Sequence, residues 1–279
     1  MSHALLPKHE LSPFFLNSPR GPLFCLYTAP CGGEPTQAAL YLHPFAEEMH
    51  KSRRMVALQR RAMVECGVAV LQIDLTGCGD SAGDFGDATW QSWQDDVRLG
   101  YAWLQQRAGC PVSVWGLRTG ATLAAEMAAQ LPDIRQLILW QPVTSGDLFI
   151  NQFLRIKLAS EMLADGQAQS GTKALRAGLE AGEPVEVGGY MLSPGMAQQL
   201  GRIKLSEIAP SCPVHWLEVG AEDANTLMPA SQRVADAWRG AGVAVTPQTV
   251  QGDPFWLTQE ITECQGLITP TLAAIDARG

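Results

Sequence analysis

Val112-Ser113-Val114-Trp115-Gly116-Leu117-Arg118-Thr119-Gly120 is the stretch on which the fold turns. An apolar run meets a glycine, a second glycine follows four residues on, and the Ala/Thr/Leu-rich segment TGATLAAEMAAQ continues with helical character. This is a strand that passes through a tight turn directly into a helix. Outward from it, short apolar runs bounded by turn residues alternate with longer amphipathic patterns. The runs predict strands at about 13–17, 23–28, 38–42, 68–74, 112–116, 136–140, 213–219 and 243–250. The longer patterns predict helices at about 47–65, 90–107, 119–130, 228–240 and 254–277, the last broken before Pro270. Two antiparallel-looking strands followed by strand-helix repeats point to an α/β fold with a mostly parallel, eight-stranded sheet flanked by helices.

The rhythm changes between residues 144 and 209. Residues 147–163 read as an amphipathic helix, followed by the polar, Ala/Gly-rich stretch ADGQAQSGTKALRAGLEAGEP and a hairpin, VEVGGYMLS, turning at Gly188-Gly189. The expected organisation is a core formed by 1–143 and 210–279, with 144–209 inserted as a cap over one edge of the sheet.

The chain has 279 residues, 46% hydrophobic and 17% charged, which excludes disorder for most of its length. Twenty Lys+Arg against 28 Asp+Glu leave a net charge of −8, which argues against a general affinity for nucleic acid or an anionic membrane. Seven scattered cysteines without a CxxC pair suit reduced thiols rather than a disulfide frame or a zinc site, so neither a metal nor another cofactor is expected. Residues 1–24 carry no basic segment followed by an apolar stretch, and no run approaches the roughly 18–20 apolar residues of a membrane span. The expected location is the cytoplasm.

Three segments in chain order give the sequence its resemblance to the α/β-hydrolase fold. Leu42-His43-Pro44-Phe45 ends the third strand, where that fold carries its H-G oxyanion loop. Asp74-Leu75-Thr76-Gly77-Cys78-Gly79-Asp80-Ser81 looks like the D-x-x-G-x-G-x-S loop after the fourth strand. Gly116-Leu117-Arg118-Thr119-Gly120 stands where the nucleophile elbow G-x-S-x-G belongs. More narrowly, HPFAEEMHKSRRM, LQIDLTGCGDSAGDFGDATW, GLRTGA and DPFW together resemble the exosortase A system-associated hydrolases of the second type, over nearly the whole chain. Those are bacterial proteins linked to exopolysaccharide gene clusters and named hydrolases by their fold. The resemblance implies an α/β-hydrolase fold and a place in exopolysaccharide or exosortase-linked processes.

Residue by residue, the serine-hydrolase pattern is incomplete. Arg118 occupies the serine position. The fold orders its triad as nucleophile, acid, histidine, with the histidine on the loop after the last strand. In that loop, residues 250–256, the G-x-H-F pattern puts histidine at Pro254, and none of the five histidines (His3, His9, His43, His50, His215) lies later than position 215. Asp223 can supply the acid, but it has no histidine to orient. Serine-hydrolase catalysis is therefore not expected. Ser81, within Gly79-Asp80-Ser81-Ala82-Gly83, matches G-x-S-x-G as a string, yet the strand ends near Asp74; it reads either as a nucleophile or as a turn-capping hydroxyl. Cys78 reads either as a thiolate acting with His43 or as one position of a glycine-rich turn. His43 itself either orders the oxyanion loop or acts as a base.

The remodelled elbow still favours anions. The backbone N–H groups of Thr119 and Phe45 and the start of a helix face the old oxyanion position, and the Arg118 guanidinium adds a planar fork for carboxylate or phosphate. Its counter-anion is either Glu47 or Glu48, on the loop after the third strand, or a ligand. Lys51, Arg53, Arg54, Arg60 and Arg61 form a basic stretch. Lys51, Arg53 or Arg54 either faces the pocket or the stretch belongs to a solvated surface paired with acids such as Asp80, Asp84 or Asp87. Trp256 is placed at the pocket mouth, where an aromatic wall suits a sugar or acyl chain. The expected function is ligand binding or an accessory role, with a small anionic, acyl or sugar-linked ligand. The alternative is an ester, thioester or acyl-sugar hydrolase or acyltransferase using His43, Cys78, Ser81 and Arg118.

Overall fold

The computed structural model describes residues 9–31, 33–165, 171–220 and 226–276. Strands β1 (His9–Ser18) and β2 (Gly21–Pro30) form an antiparallel pair, closed by the Ser18 hydroxyl donating to the Gly21 carbonyl at 2.8 Å. Strand-helix alternation follows through β3 (Gln37–Leu42), α1 (Glu47–Glu65), β4 (Val68–Ile73), α2 (Trp90–Ala108), β5 (Val112–Leu117), α3 (Thr119–Ala128) and β6 (Leu137–Trp140). Between β6 and the next core strand come α4 (Gly146–Asp165), α5 (Thr172–Glu180), β7 (Val185–Val187), β8 (Tyr190–Leu192) and α6 (Pro194–Gly201). The chain then returns through β9 (Val214–Gly220), α7 (Pro229–Gly240), β10 (Val245–Gln251) and α8 (Ile268–Asp276).

The eight long strands lie in the order β1-β2-β4-β3-β5-β6-β9-β10. The β1–β2 and β2–β4 pairs are antiparallel and every other pair is parallel, the expected mostly parallel sheet. Every residue of β5 and β6 is buried, because α1 and α8 cover one face of the sheet and α2, α3 and α7 the other. That two-sided burial explains why these strands read as unbroken apolar runs instead of alternating ones.

The inserted elements rest on the carboxyl edge of the sheet. Phe149 and Phe153 of α4 meet the Phe45 ring edge-on at 5.4 and 5.2 Å, and Tyr190 of β8 meets Phe85 at 5.3 Å. The hairpin turns at Gly188 and Gly189, with φ of 57° and 85°, the left-handed pair that two-residue hairpins demand.

Two readings need correction. The stretch read as polar and Ala/Gly-rich contains α5, whose Leu175 and Leu179, four residues apart, pack toward the core. The helix expected over 254–277 is confined to α8. Residues 254–264 form a loop in which consecutive Phe255 and Trp256 are both buried, and Pro270 falls in the first turn of α8, where its missing N–H breaks no helical bond.

Candidate functional site

The turn between β5 and α3 is a true elbow. Arg118 holds φ 56° and ψ −119°, a region that costs a non-glycine residue of order 1–3 kcal/mol. The glycines on either side explain how the turn closes. A Cβ on Gly116 would lie 2.5 Å from the Gly120 carbonyl oxygen, and one on Gly120 would lie 2.2 Å from that of Leu42. The backbone is anchored by the Arg118 N–H on the Trp140 carbonyl at 2.9 Å and by the Thr122 N–H on the Arg118 carbonyl at 3.1 Å. Ala46, after β3, and Gln141, after β6, also take positive φ, 50° and 46°. Strands β3, β5 and β6 are neighbours, so the strained non-glycine residues gather at one point of the carboxyl edge, as strain does at functional sites.

Arg118 is not left unpaired. Its Nε donates to both oxygens of Glu48 at 3.3 and 3.4 Å, and its Nη2 to one of them at 3.3 Å. Both side chains are mostly buried, 16% and 14% exposed. Burial pushes the Glu48 carboxyl up from the ordinary carboxylate range, while Arg118 and, more weakly, Lys51 pull it back. The guanidinium carbon lies 5.7 Å from the Trp256 ring centroid, within cation–π reach. Trp256 is thus buried over the elbow instead of walling the pocket mouth, and Pro254 is exposed.

The two glutamates divide their roles. Glu47 accepts from the Tyr190 hydroxyl at 3.1 Å, linking the start of α1 to the inserted hairpin, and Glu48 alone reaches Arg118. The basic stretch has different partners from those expected. Arg53 pairs with Asp74 at 3.3 Å, Arg54 with Glu263, and Arg60 donates to the buried Thr28 hydroxyl at 2.7 Å. Asp80, Asp84 and Asp87 are not the acids that hold it.

His43 and Ser81 are each held by backbone hydrogen bonds, and Cys78 is buried. His43 is buried, with Nε2 accepting from the Leu75 N–H at 3.1 Å and Nδ1 donating to the Pro44 carbonyl at 2.8 Å. Burial pushes its pKa down, so it is a neutral imidazole with both nitrogens committed to the backbone. The Cys78 thiol is buried, and desolvation, aided by the Asp74 charge, pushes its pKa far up, the opposite of what a nucleophilic thiolate needs. Ser81 Oγ accepts from the Phe24 N–H at 2.8 Å and donates to the Asp74 carbonyl, stitching the β4 loop to β2. His215 sits within β9, His50 on the exposed side of α1, and Asp223 lies outside the described residues, as does His3. Among the described residues no three His, Cys, Asp or Glu side chains come together as metal ligands, and no helix is long and apolar enough to cross a membrane.

Among the described residues, the N–H groups of Phe45 and Thr119 have no backbone or side-chain acceptor, and Thr119 opens α3 with its partial positive charge. A separate cavity of ~600 Å³ opens between α4, α5 and α6, with Arg176 and Arg202 in its lining; Arg118 takes no part in it.

A strained elbow on β5, an oxyanion-type loop after β3 and a mostly parallel eight-stranded sheet are features of the α/β hydrolases. The family described as serine aminopeptidase S33 matches residues 33–177, just over half of the chain. This chain belongs to that family. Its match takes in the loop after β3, the glycine-rich loop after β4 and the elbow that carries Arg118. No curated protein matches the chain. Solved structures of the same fold do. Est1E from Butyrivibrio proteoclasticus, solved with ferulic acid bound, superimposes with a TM-score of 0.70 at 15% identity, covering 94% of this chain and 96% of its own. XC6422 from Xanthomonas campestris, described as a serine hydrolase without a lid, gives 0.57 at 19% identity, covering 99% and 100%. Alpha/beta hydrolase domain-containing protein 10 from mouse gives 0.55 at 17%, covering 95% and 97%. At these identities the likeness shows the fold alone.

The Glu48–Arg118 contact was only half legible beforehand, because a loop position does not say which of two adjacent glutamates turns inward. The residue that sequence reasoning misplaced is Trp256. The signal was in DPFW, since Phe and Trp are among the side chains most buried on average.

Proposed function

We propose that this member of the hydrolase family does not perform serine-hydrolase chemistry and acts as a ligand-binding or accessory factor, with the segment 144–209 as its cap. The observation that carries the reading is Arg118 at the strained elbow position, paired with Glu48 and covered by Trp256. A hydrolase elbow uses its strain to present a hydroxyl next to a histidine. Here the same strain presents a guanidinium, and the imidazole of His43 is neutral and fully engaged by the backbone. The place of this factor in exopolysaccharide or exosortase-linked processes rests on the resemblance of HPFAEEMHKSRRM and LQIDLTGCGDSAGDFGDATW to the second type of exosortase A system-associated hydrolase. A cytoplasmic location is part of the same proposal.

The test is turnover of a panel of p-nitrophenyl esters, thioesters and acetylated sugars by the unaltered chain, Arg118→Ser and Cys78→Ala. The expected result is background hydrolysis in all three, since restoring a serine restores no base. Turnover by the unaltered chain that Cys78→Ala abolishes would establish the alternative, a hydrolase or acyltransferase built around His43, Cys78, Ser81 and Arg118.

A further inference from the structure

The Glu48–Arg118 pair has the geometry of a place-holder. Charge-assisted N–H···O bonds shorten to about 2.7–2.9 Å when both partners are free to optimise them. The three contacts here are 3.3, 3.3 and 3.4 Å, and among the described residues Nη1 of Arg118 has no acceptor. Two buried polar groups, one on Trp256 beside the guanidinium and one on Thr119, the residue after Arg118 in sequence, are also unpartnered. Trp256, 3% exposed and cation–π partner of Arg118, has no acceptor for its indole N–H; Thr119, fully buried and next in sequence, has none for its hydroxyl. A buried donor left unsatisfied costs about 1–3 kcal/mol, so the Trp256 indole N–H beside the cation is a donor that a bound anion would complete.

We propose that the elbow is a carboxylate-binding site in which the Glu48 side chain stands in for the ligand, so that an incoming carboxylate takes the guanidinium of Arg118 and uses the donors that Glu48 leaves idle. The proposal rests on the non-catalytic reading of the elbow and names its ligand class. A carboxylate is the chemistry that the site already accepts, since Glu48 shows that such a group fits against the guanidinium. The charged groups facing Glu48 are Arg118 from the elbow and Lys51 from its own helix, two cations against one acid. Once Arg118 is taken, Glu48 loses its stronger counter-charge in a site where burial already favours the neutral acid. Ligand binding is therefore accompanied by proton uptake at Glu48.

The experiment is a thermal-shift and calorimetric titration with sodium butyrate at constant ionic strength, using the unaltered chain, Glu48→Gln and Arg118→Met, with methyl butyrate as the uncharged control and inorganic phosphate as the competing anion. Glu48→Gln is expected to bind butyrate at least tenfold more tightly than the unaltered chain, Arg118→Met to lose binding, and methyl butyrate not to bind. A second reading needs no variant: the affinity of the unaltered chain for butyrate rises as pH falls from roughly 7.5 to 5.5, with net proton uptake in buffers of different ionisation enthalpy. Equal affinity in the unaltered chain and Glu48→Gln, binding that survives Arg118→Met, a pH-independent affinity, or phosphate binding more tightly than butyrate would each overturn the proposal. Failure here with the chain still inactive on esters leaves the non-catalytic reading standing, whereas ester turnover overturns that reading independently.

Discussion

Glu48 meets Arg118 through both carboxylate oxygens, 3.3 and 3.4 Å from the guanidinium Nε, at the one turn where the hydrolase fold presents its nucleophile. One acid from the start of α1 thus neutralises one cation at the start of α3, and neither can be altered alone without leaving a mostly buried charge unpaired. Arg118→Met and Glu48→Leu are each expected to lower stability by about 2–4 kcal/mol in urea denaturation, while the double variant recovers to within about 1 kcal/mol of the original. Additive losses in that cycle would mean that the pair is not coupled.

The elbow glycines are required by space. Gly120→Ala places a methyl against the Leu42 and His43 carbonyls, and is expected to cost more than about 3 kcal/mol or to prevent folding. Gly201→Ala, at the end of α6 where nothing lies within 4 Å of the added carbon, is the control; its stability should change by less than about 1 kcal/mol. The urea midpoints of the two variants give the comparison.

His43 supplies a pH dependence whose sign follows from its burial. Its folded-state pKa lies below the unfolded value, so the unfolded chain binds the extra proton. The contribution is complete above the ordinary histidine pKa and is lost as pH falls from there through the depressed folded value. His215, also depressed by burial, acts in the same direction. Stability measured between roughly pH 7.5 and 5 should fall, and His43→Gln should show a shallower fall together with a lower starting stability. An unchanged slope in His43→Gln would mean that His43 is not held neutral.

Thiol reactivity separates Cys78 from the surface cysteines. Cys31 and Cys66 are exposed, whereas Cys78 is buried with its pKa raised. With an aromatic disulfide reagent at neutral pH, Cys31 and Cys66 should be labelled first, and Cys78 only on unfolding, as peptide mass mapping over time would record. Early labelling of Cys78 would restore the thiolate reading.

The fold was legible because its signals are local. Gly116 and Gly120 bracket the elbow in the sequence as they do in space, each strand carries its apolar run, and Gly188-Gly189 marks its hairpin. The site was legible only in part, because its contacts are long-range. Arg118 could be placed at the elbow from spacing alone, but the choice between Glu47 and Glu48 depends on the rotation of α1. Successive helical residues point about 100° apart, so one glutamate turns to the elbow and the other to Tyr190. Trp256 was misplaced for a related reason. Alignment to the histidine position selects Pro254, whereas burial draws the indole two residues later over Arg118 and pins the loop, so that the helix expected there begins only at Ile268.

In the proposed reading no serine of this chain is activated as a nucleophile, neither at the elbow nor at Ser81. It is tested most directly by labelling the folded chain with a fluorophosphonate probe and locating any adduct by mass spectrometry, with Ser81→Ala alongside. Ser81 already donates to Asp74 and accepts from Phe24, so the expected result is no adduct above that of a heat-denatured control. Rapid labelling of the folded chain that disappears in Ser81→Ala would show Ser81 to be an activated nucleophile and the protein a serine hydrolase.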